Sequence, residues 1–234
     1  MVVNQADKNK LYQIIKSTPA FNRLGPVENP SGVRDPFIVE IAPLLSDPGK
    51  AKAIGKIFGK VARQLDVELV AGIATSAVSL AATISLMSDI PFVYVRKERD
   101  RKTGQIIEGD FRKGAKTLLI DDMIGDGGEK ERVVKEVGND LKIKNILVLW
   151  ESHEAEYFNW PKRMRGLGLN VISFFNWLEL VKALHRDGAL SGEATEIFDD
   201  WLHSIGKWSE NEAYWAKFEY YRRKYRLRKG DSMV

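Results

Sequence analysis

The chain has 234 residues, 44% of them hydrophobic, and a formal net charge of +4 at pH 7. This length can build one full hydrophobic core with an appended segment, or two small domains. Because the chain has no cysteine, disulfides, thiolate zinc sites and a cysteine nucleophile are excluded. The first eight residues contain no apolar signal core, so we expect a cytoplasmic protein.

One uncharged stretch, Leu69–Ser88, is long enough to suggest a membrane helix. It contains six Ser or Thr residues and one glycine, which favour a buried strand, a loop and a helix. We therefore expect no membrane partner.

Strand and helix patterns alternate along the chain. The sequence predicts, in order, a helix at 7–16, an irregular extended region at 19–32, a strand at 37–41, a helix after 46–49, a strand at 68–72, a helix at 76–87, a strand at 92–95, a charged loop at 96–104, a strand at 117–120, a helix at 129–137, a strand at 145–149, a strand at 171–174 and a helix at 176–186. This alternation predicts an α/β fold with a mainly parallel sheet flanked by helices. Ligands of such sheets lie beyond the carboxyl ends of the strands, where we expect Gly72, Arg96 and Asp121.

The most informative motif is Thr117–Glu129, in which an apolar run ends in Asp121 and Asp122 and a glycine-rich turn precedes a helix. Carboxylates accept hydrogen bonds from a vicinal diol, and glycine amides at a helix start can bind an anion. The motif therefore favours a site for a sugar and its phosphate. It matches neither the Walker loop nor the Rossmann spacing. A tight turn that binds no ligand is the alternative.

Several motifs, taken in order, resemble type I phosphoribosyltransferases, and most closely orotate phosphoribosyltransferases. The similar segments are Ser31–Glu40 (the hood over the base), Ala71–Ala77 (the pyrophosphate loop), Pro91–Glu98 and Ile106–Gly109 (the flanks of the catalytic loop) and Leu118–Gly128 (the signature for phosphoribosyl diphosphate, PRPP). The resemblance covers roughly residues 20–190. It implies a hood segment at 1–45, a phosphoribosyltransferase core at 46–190 and a helical, basic and aromatic extension at 191–234.

The resemblance implies transfer of a phosphoribosyl group from PRPP to a base, with Mg2+ as the cofactor and pyrophosphate as the leaving group. The implied catalytic residues are Asp121, Asp122, Arg96, Lys97, Arg101 and Lys102. The two acids would hold the ribose hydroxyls and stabilise developing positive charge, while the cations would screen pyrophosphate. Mg2+ would be held mainly by pyrophosphate and ribose, with Asp121 and Asp122 as further candidates. The family shares its catalytic loop between subunits, which implies a homodimer.

The implied phosphate loops differ in charge. The pyrophosphate loop is Ala74, Thr75, Ser76 and Ala77, and the PRPP phosphate loop is Gly125, Asp126, Gly127, Gly128 and Glu129. The family usually has Thr-Thr-Gly-Gly-Ser in the second loop, so two carboxylates stand here where hydroxyl donors are expected. At 4–5 Å and an effective dielectric of about 20, each carboxylate would repel a unit charge by roughly 3–4 kcal/mol.

The implied base-binding residues are Phe37, Ser152 and His153. Phe37 could cover the flat face of a base. Orotate or a related base is the acceptor that the resemblance implies. Ser152 stands where the family has an arginine that binds the carboxylate of orotate, so a neutral or cationic base is an alternative. For His153, an ordinary surface position is the alternative.

The C-terminal segment combines an aromatic stripe with basic residues. Tyr214, Phe218, Tyr221 and Tyr225 fall at helical spacing, with Trp208 and Trp215 close by. The residues that make the tail strongly basic are Lys217, Arg222, Arg223, Lys224, Arg226, Arg228 and Lys229. The helical spacing favours an amphipathic helix docked on the protein over a nucleic-acid platform. The sequence thus leaves three hypotheses: a phosphoribosyltransferase, a regulatory protein with this fold, and a nucleic-acid-associated protein.

Overall fold

The structure is a computed structural model that describes residues 3–18, 22–28, 34–152, 159–189 and 212–224. The strands are β1 Asn22–Glu28, β2 Arg34–Val39, β3 Leu69–Ile73, β4 Phe92–Val95, β5 Ile107–Glu108, β6 Ala115–Ile124, β7 Leu141–Glu151 and β8 Asn170–Asn176. The helices are α1 Gln5–Lys16, α2 Ala42–Leu45, α3 Pro48–Gln64, α4 Ser76–Ser88, α5 Gly128–Val137, α6 Trp160–Gly166, α7 Trp177–Arg186 and α8 Glu212–Lys224.

The central sheet has six strands in the order β5-β4-β3-β6-β7-β8. All neighbouring pairs are parallel except β4 with β5. Alternate residues along each strand face opposite sides of the sheet: Leu118 and Ile120 belong to a core cluster shared with α1–α4 and α7. Leu119 belongs to a second cluster shared with α5 and α6. The predicted α/β fold, with a mainly parallel sheet covered on both faces, is confirmed.

The prediction of irregular chain over 19–32 was wrong for residues 22–28, which form β1 and pair antiparallel with β2. Gly25 and Pro26 suggested irregular chain. The register of the β1–β2 pair shifts between Leu24 and Val27. Such an irregularity accommodates a proline, which has no N–H to donate to the neighbouring strand. The sequence analysis also missed β5, α2 and α6, whose short lengths give little periodic signal.

Strand β6 extends further than predicted and includes both acids of the motif. The prediction ended it at Ile120, whereas the pairing with β7 continues from Asp121 with Val148 to Ile124 with Glu151. The two carboxylates therefore project from a paired strand. No helix among the described ranges is long and apolar enough to cross a membrane.

Candidate active site

A cavity of about 340 Å³ lies at the carboxyl ends of β3, β4 and β6, next to the first turns of α4 and α5. Its lining residues are Ile73, Ala74, Thr75, Ser76, Lys97, Asp121, Asp122, Met123, Glu129 and Lys130. This is the sheet edge at which parallel α/β folds bind ligands. The cavity brings together predicted residues from the acid pair, both loops and the charged segment after β4.

The loop that begins α4 is electrically neutral and tightly positioned. Ala74 N donates to Val95 O at 2.9 Å, which ties the loop to the end of β4. A side chain at Gly72 would lie 2.6 Å from Ala77 O, so this glycine permits the close approach of β3 to α4. Thr75 caps α4 without a side-chain hydrogen bond, and the first turn contains no acidic residue. Its free N–H groups and the helix dipole suit an anion. Ala77 itself is buried.

The two acids of the motif differ in exposure and in partners. Asp121 is 3% exposed and forms a salt bridge with Lys130. Burial raises the pKa of the Asp121 carboxyl to about 6, although the Lys130 ammonium acts in the opposite direction. Asp122 is half-buried, and its Oδ1 accepts from Met123 N at 2.9 Å. Asp122 is therefore the more accessible acid for a ligand.

Lys130 is a site residue that is not among the predicted catalytic, phosphate-binding or base-binding residues. It is 5% exposed and lines the cavity. Burial by itself would lower the pKa of the Lys130 ammonium, but Asp121 and Glu129 outweigh burial and the pKa is raised. Helical spacing contained the signal, because Lys130, Val133 and Val137 are the buried residues of α5 and share one face.

The two carboxylates of the second loop point in different directions. Asp126 Oδ1 accepts from Gly128 N at 3.0 Å, and Asp126 Oδ2 lies 3.7 Å from Arg163 Nη1. Asp126 is absent from the lining of the cavity, whereas Glu129 belongs to it. Gly127 has a φ of 79°, which favours glycine at the start of α5. One of the two predicted repulsive charges therefore faces the cavity.

Of the predicted cations, Lys97 lines the cavity. Arg96 Nη1 instead donates to Glu108 Oε1 at 3.0 Å, and its Nη2 lies 3.5 Å from Asp100 Oδ2. Asp100 Oδ1 accepts from Lys102 N at 2.8 Å, which holds the loop in a turn. Arg101 and Lys102 are exposed and are not among the residues that line the cavity.

The predicted base-binding residues are described only in part. Ser152 N donates to Ile124 O at 2.9 Å, and its Oγ donates to Gly125 O at 3.4 Å. Ser152 therefore fastens the second loop to β7 and does not line the cavity. Phe37 belongs to β2, with its side chain outside the description, and His153 lies outside the described residues.

The sheet order and the acid pair beside two helix starts define the class of this protein. The chain has the fold of the type I phosphoribosyltransferases. No family model matches it. Among individual proteins, it is similar to orotate phosphoribosyltransferase of Listeria monocytogenes, with 26% identity over 184 residues, 77% of this chain and 87% of the relative.

Solved structures show the same fold. Leishmania donovani UMP synthase matches with a TM-score of 0.71 and 20% identity. The match covers 88% of this chain and 43% of that protein. Mycobacterium tuberculosis orotate phosphoribosyltransferase in complex with PRPP matches with a TM-score of 0.57 and 18% identity, over 74% of this chain and 98% of that one. The resemblance to orotate phosphoribosyltransferases is confirmed.

Proposed function

We propose that this protein transfers a phosphoribosyl group from PRPP to orotate or a related base and releases pyrophosphate, a step of pyrimidine nucleotide synthesis. The observation that carries this proposal is that one cavity combines Asp122, the neutral start of α4 and Lys97. The similarity to orotate phosphoribosyltransferases supports it. The three-part division at residues 45 and 190 and the cytoplasmic location remain predictions.

The proposed reaction uses each part of the cavity for one task. The bond between the anomeric carbon and a pyrophosphate oxygen breaks, a bond from that carbon to a base nitrogen forms, and the proton of that nitrogen passes to water or to the leaving pyrophosphate. Pyrophosphate would lie at the amides of Thr75 and Ser76, where the helix start and Lys97 favour negative charge. Asp122 would stabilise the positive charge that develops on the ribose, since oriented charges are most effective where charge develops.

The residues of the cavity fit a magnesium ion that arrives with the substrate. The described ranges contain no group of three or more His, Asp or Glu side chains that could hold a metal. Asp121 is occupied by Lys130, so Asp122 is the more available carboxylate. Mg2+ commonly binds through one or two carboxylates, substrate phosphates and water. When bound, it would neutralise charge on pyrophosphate.

Turnover and binding test the proposal directly. Purified protein is incubated with PRPP, Mg2+ and orotate, or with uracil as a base that lacks the carboxylate, and pyrophosphate release is measured. Because Ser152 replaces the expected arginine, we expect a weaker preference for orotate over uracil than an arginine would provide. Calorimetry with PRPP and Mg2+ accompanies the assay. Failure to bind PRPP would reject the proposal.

We further propose a homodimer in which residues 96–104 reach the site of the neighbouring subunit. Arg101 and Lys102 are exposed and do not line the cavity of their own chain, which supports this arrangement. Light scattering coupled to size-exclusion chromatography should give about twice the mass of one chain. A stable monomer at micromolar concentration would contradict it.

A regulatory protein that binds PRPP without turnover is the second candidate, and Glu129 in the cavity favours it. PRPP binding without pyrophosphate release would support this candidate. The nucleic-acid hypothesis has less support, because Trp215 of α8 packs against the core cluster, as expected of a docked helix. Salt-dependent oligonucleotide binding that is lost on truncation at Gly206 would revive it.

A further inference from the structure

We infer that Lys130 is the cation that binds the 5′-phosphate of the sugar substrate, and that Glu129 is a displaceable counter-ion at the same ammonium. This inference rests on the proposed function, since it names the residue that recognises one phosphate of that substrate. It also explains how a loop with two carboxylates can accept a phosphate.

The first step of the argument is the position of the Lys130 ammonium. Its side chain is 6% exposed, and yet it lines the cavity. Its two ion-pair partners among the described residues are Asp121, in direct contact, and Glu129, whose Oε2 is 3.8 Å away. An ammonium has three donors, and 3.8 Å is too long for a hydrogen bond. A phosphate oxygen in the cavity could therefore accept a hydrogen bond that Glu129 does not accept.

The second step concerns the donors that the loop lacks. Gly128 N would normally be available to an anion at the start of α5. Here it already donates to Asp126 Oδ1 at 3.0 Å. The loop also has no hydroxyl side chain between Gly125 and Glu129. A cation from the next residue of the helix, Lys130, can supply the missing positive charge.

The third step distinguishes the two loop carboxylates. Asp126 is engaged by Gly128 N and lies near Arg163, outside the lining of the cavity. Glu129 is 36% exposed and has no hydrogen bond to Lys130, so its side chain can turn toward water. An arriving phosphate would exchange with Glu129 at Lys130, while Asp121 keeps the ammonium in place.

The decisive variant is Glu129→Gln, which removes the competing charge and leaves the Lys130–Asp121 pair intact. Wild type and variant are titrated by calorimetry with ribose 5-phosphate, and separately with inorganic pyrophosphate as a probe of the α4 loop. We expect the affinity for ribose 5-phosphate to be at least about tenfold higher in the variant. The affinity for pyrophosphate should change by less than about twofold. Glu131→Gln, on the same helix but outside the cavity, is the matched control and should change neither affinity.

Unchanged or weaker binding of ribose 5-phosphate by Glu129→Gln would overturn the inference. Equal gains for both probes would overturn it too, because they would indicate a general loss of negative charge. Adding Lys130→Met to Glu129→Gln should abolish the gain in a protein whose circular dichroism is native. If that double variant does not fold, the Glu129→Gln titrations alone decide. Wild-type turnover tests the proposed function separately, since tighter binding without turnover would retain this inference and reject the enzyme.

Discussion

The α4 loop and the α5 loop have similar positions but different charges. Both follow a parallel strand and begin a helix at the same cavity. The α4 loop has no acidic residue in its first turn, whereas α5 begins with Glu129 and Glu131 and is preceded by Asp126. The α4 loop can bind an anion with its amides alone. The α5 loop needs the buried Lys130, so a similar position at the sheet edge does not guarantee the same anion binding.

The largest expected effect comes from removing the cation of the α5 loop. Lys130→Met leaves Asp121 buried without its partner, and breaking one side of a buried ion pair typically costs about 3–5 kcal/mol of unfolding free energy. Urea denaturation followed by circular dichroism measures this loss. Lys135→Met is the control, because Lys135 is 63% exposed in its ion pair with Glu131. This substitution should cost less than about 1 kcal/mol. Similar small losses in both variants would show that the buried pair does not stabilise the protein.

The next effect concerns Asp122, the more accessible acid, which lines the same cavity as residues of both loops. Asp122→Asn should lower turnover by about 30- to 1,000-fold, which corresponds to roughly 2–4 kcal/mol of transition-state stabilisation. The melting temperature should remain close to that of the wild type, since Asp122 is only half-buried. Steady-state assays with PRPP and orotate measure the change. Wild-type turnover in the folded variant would remove the acid pair from the mechanism.

A double substitution makes the α5 loop resemble a neutral loop. Asp126→Thr with Glu129→Ser should tighten PRPP binding by at least about tenfold, or roughly 1.4 kcal/mol. Glu129→Ser alone should supply most of the gain, because Asp126 faces away from the cavity toward Arg163. Titrations with PRPP and Mg2+ at fixed ionic strength compare the wild type, the double variant and Glu129→Ser. Equally tight binding by the wild type would mean that neither carboxylate opposes the phosphate. No binding by any of them would reject both the enzyme and the PRPP-binding regulatory protein.

The smallest effect should come from the reverse experiment on the α4 loop. Ser76→Asp places a carboxylate at the first residue of α4, where Ser76 is exposed and lines the cavity. We expect pyrophosphate to bind about three- to tenfold more weakly, because water screens part of the repulsion. Ser76→Asn is the uncharged control. Unchanged affinity in the Asp variant would place pyrophosphate away from this helix start.

The sequence predicted the order of most strands and helices because their apolar periodicities are long and regular. Helix α4 was predicted at 76–87 and found at Ser76–Ser88, and β4 was found at its predicted bounds. Strand β1 was missed because the register shift in its pairing with β2 accommodates Pro26, which a sequence pattern alone marks as a breaker. The full length of β6 was missed because Asp121 and Asp122 interrupt its apolar pattern. Pairing with β7 nevertheless continues the strand past them.

By itself, the sequence determined that an acid pair and two loops would meet at one edge of a parallel sheet, since the carboxyl ends of parallel strands share that edge. Only the tertiary structure decided which charges meet there. Asp126 turns toward Arg163, a residue 37 positions away in the chain, Glu129 remains in the cavity, and Lys130 is buried against Asp121. Side-chain direction depends on partners that are distant in sequence, and burial alters the free energy of each charge. No local pattern contains that information.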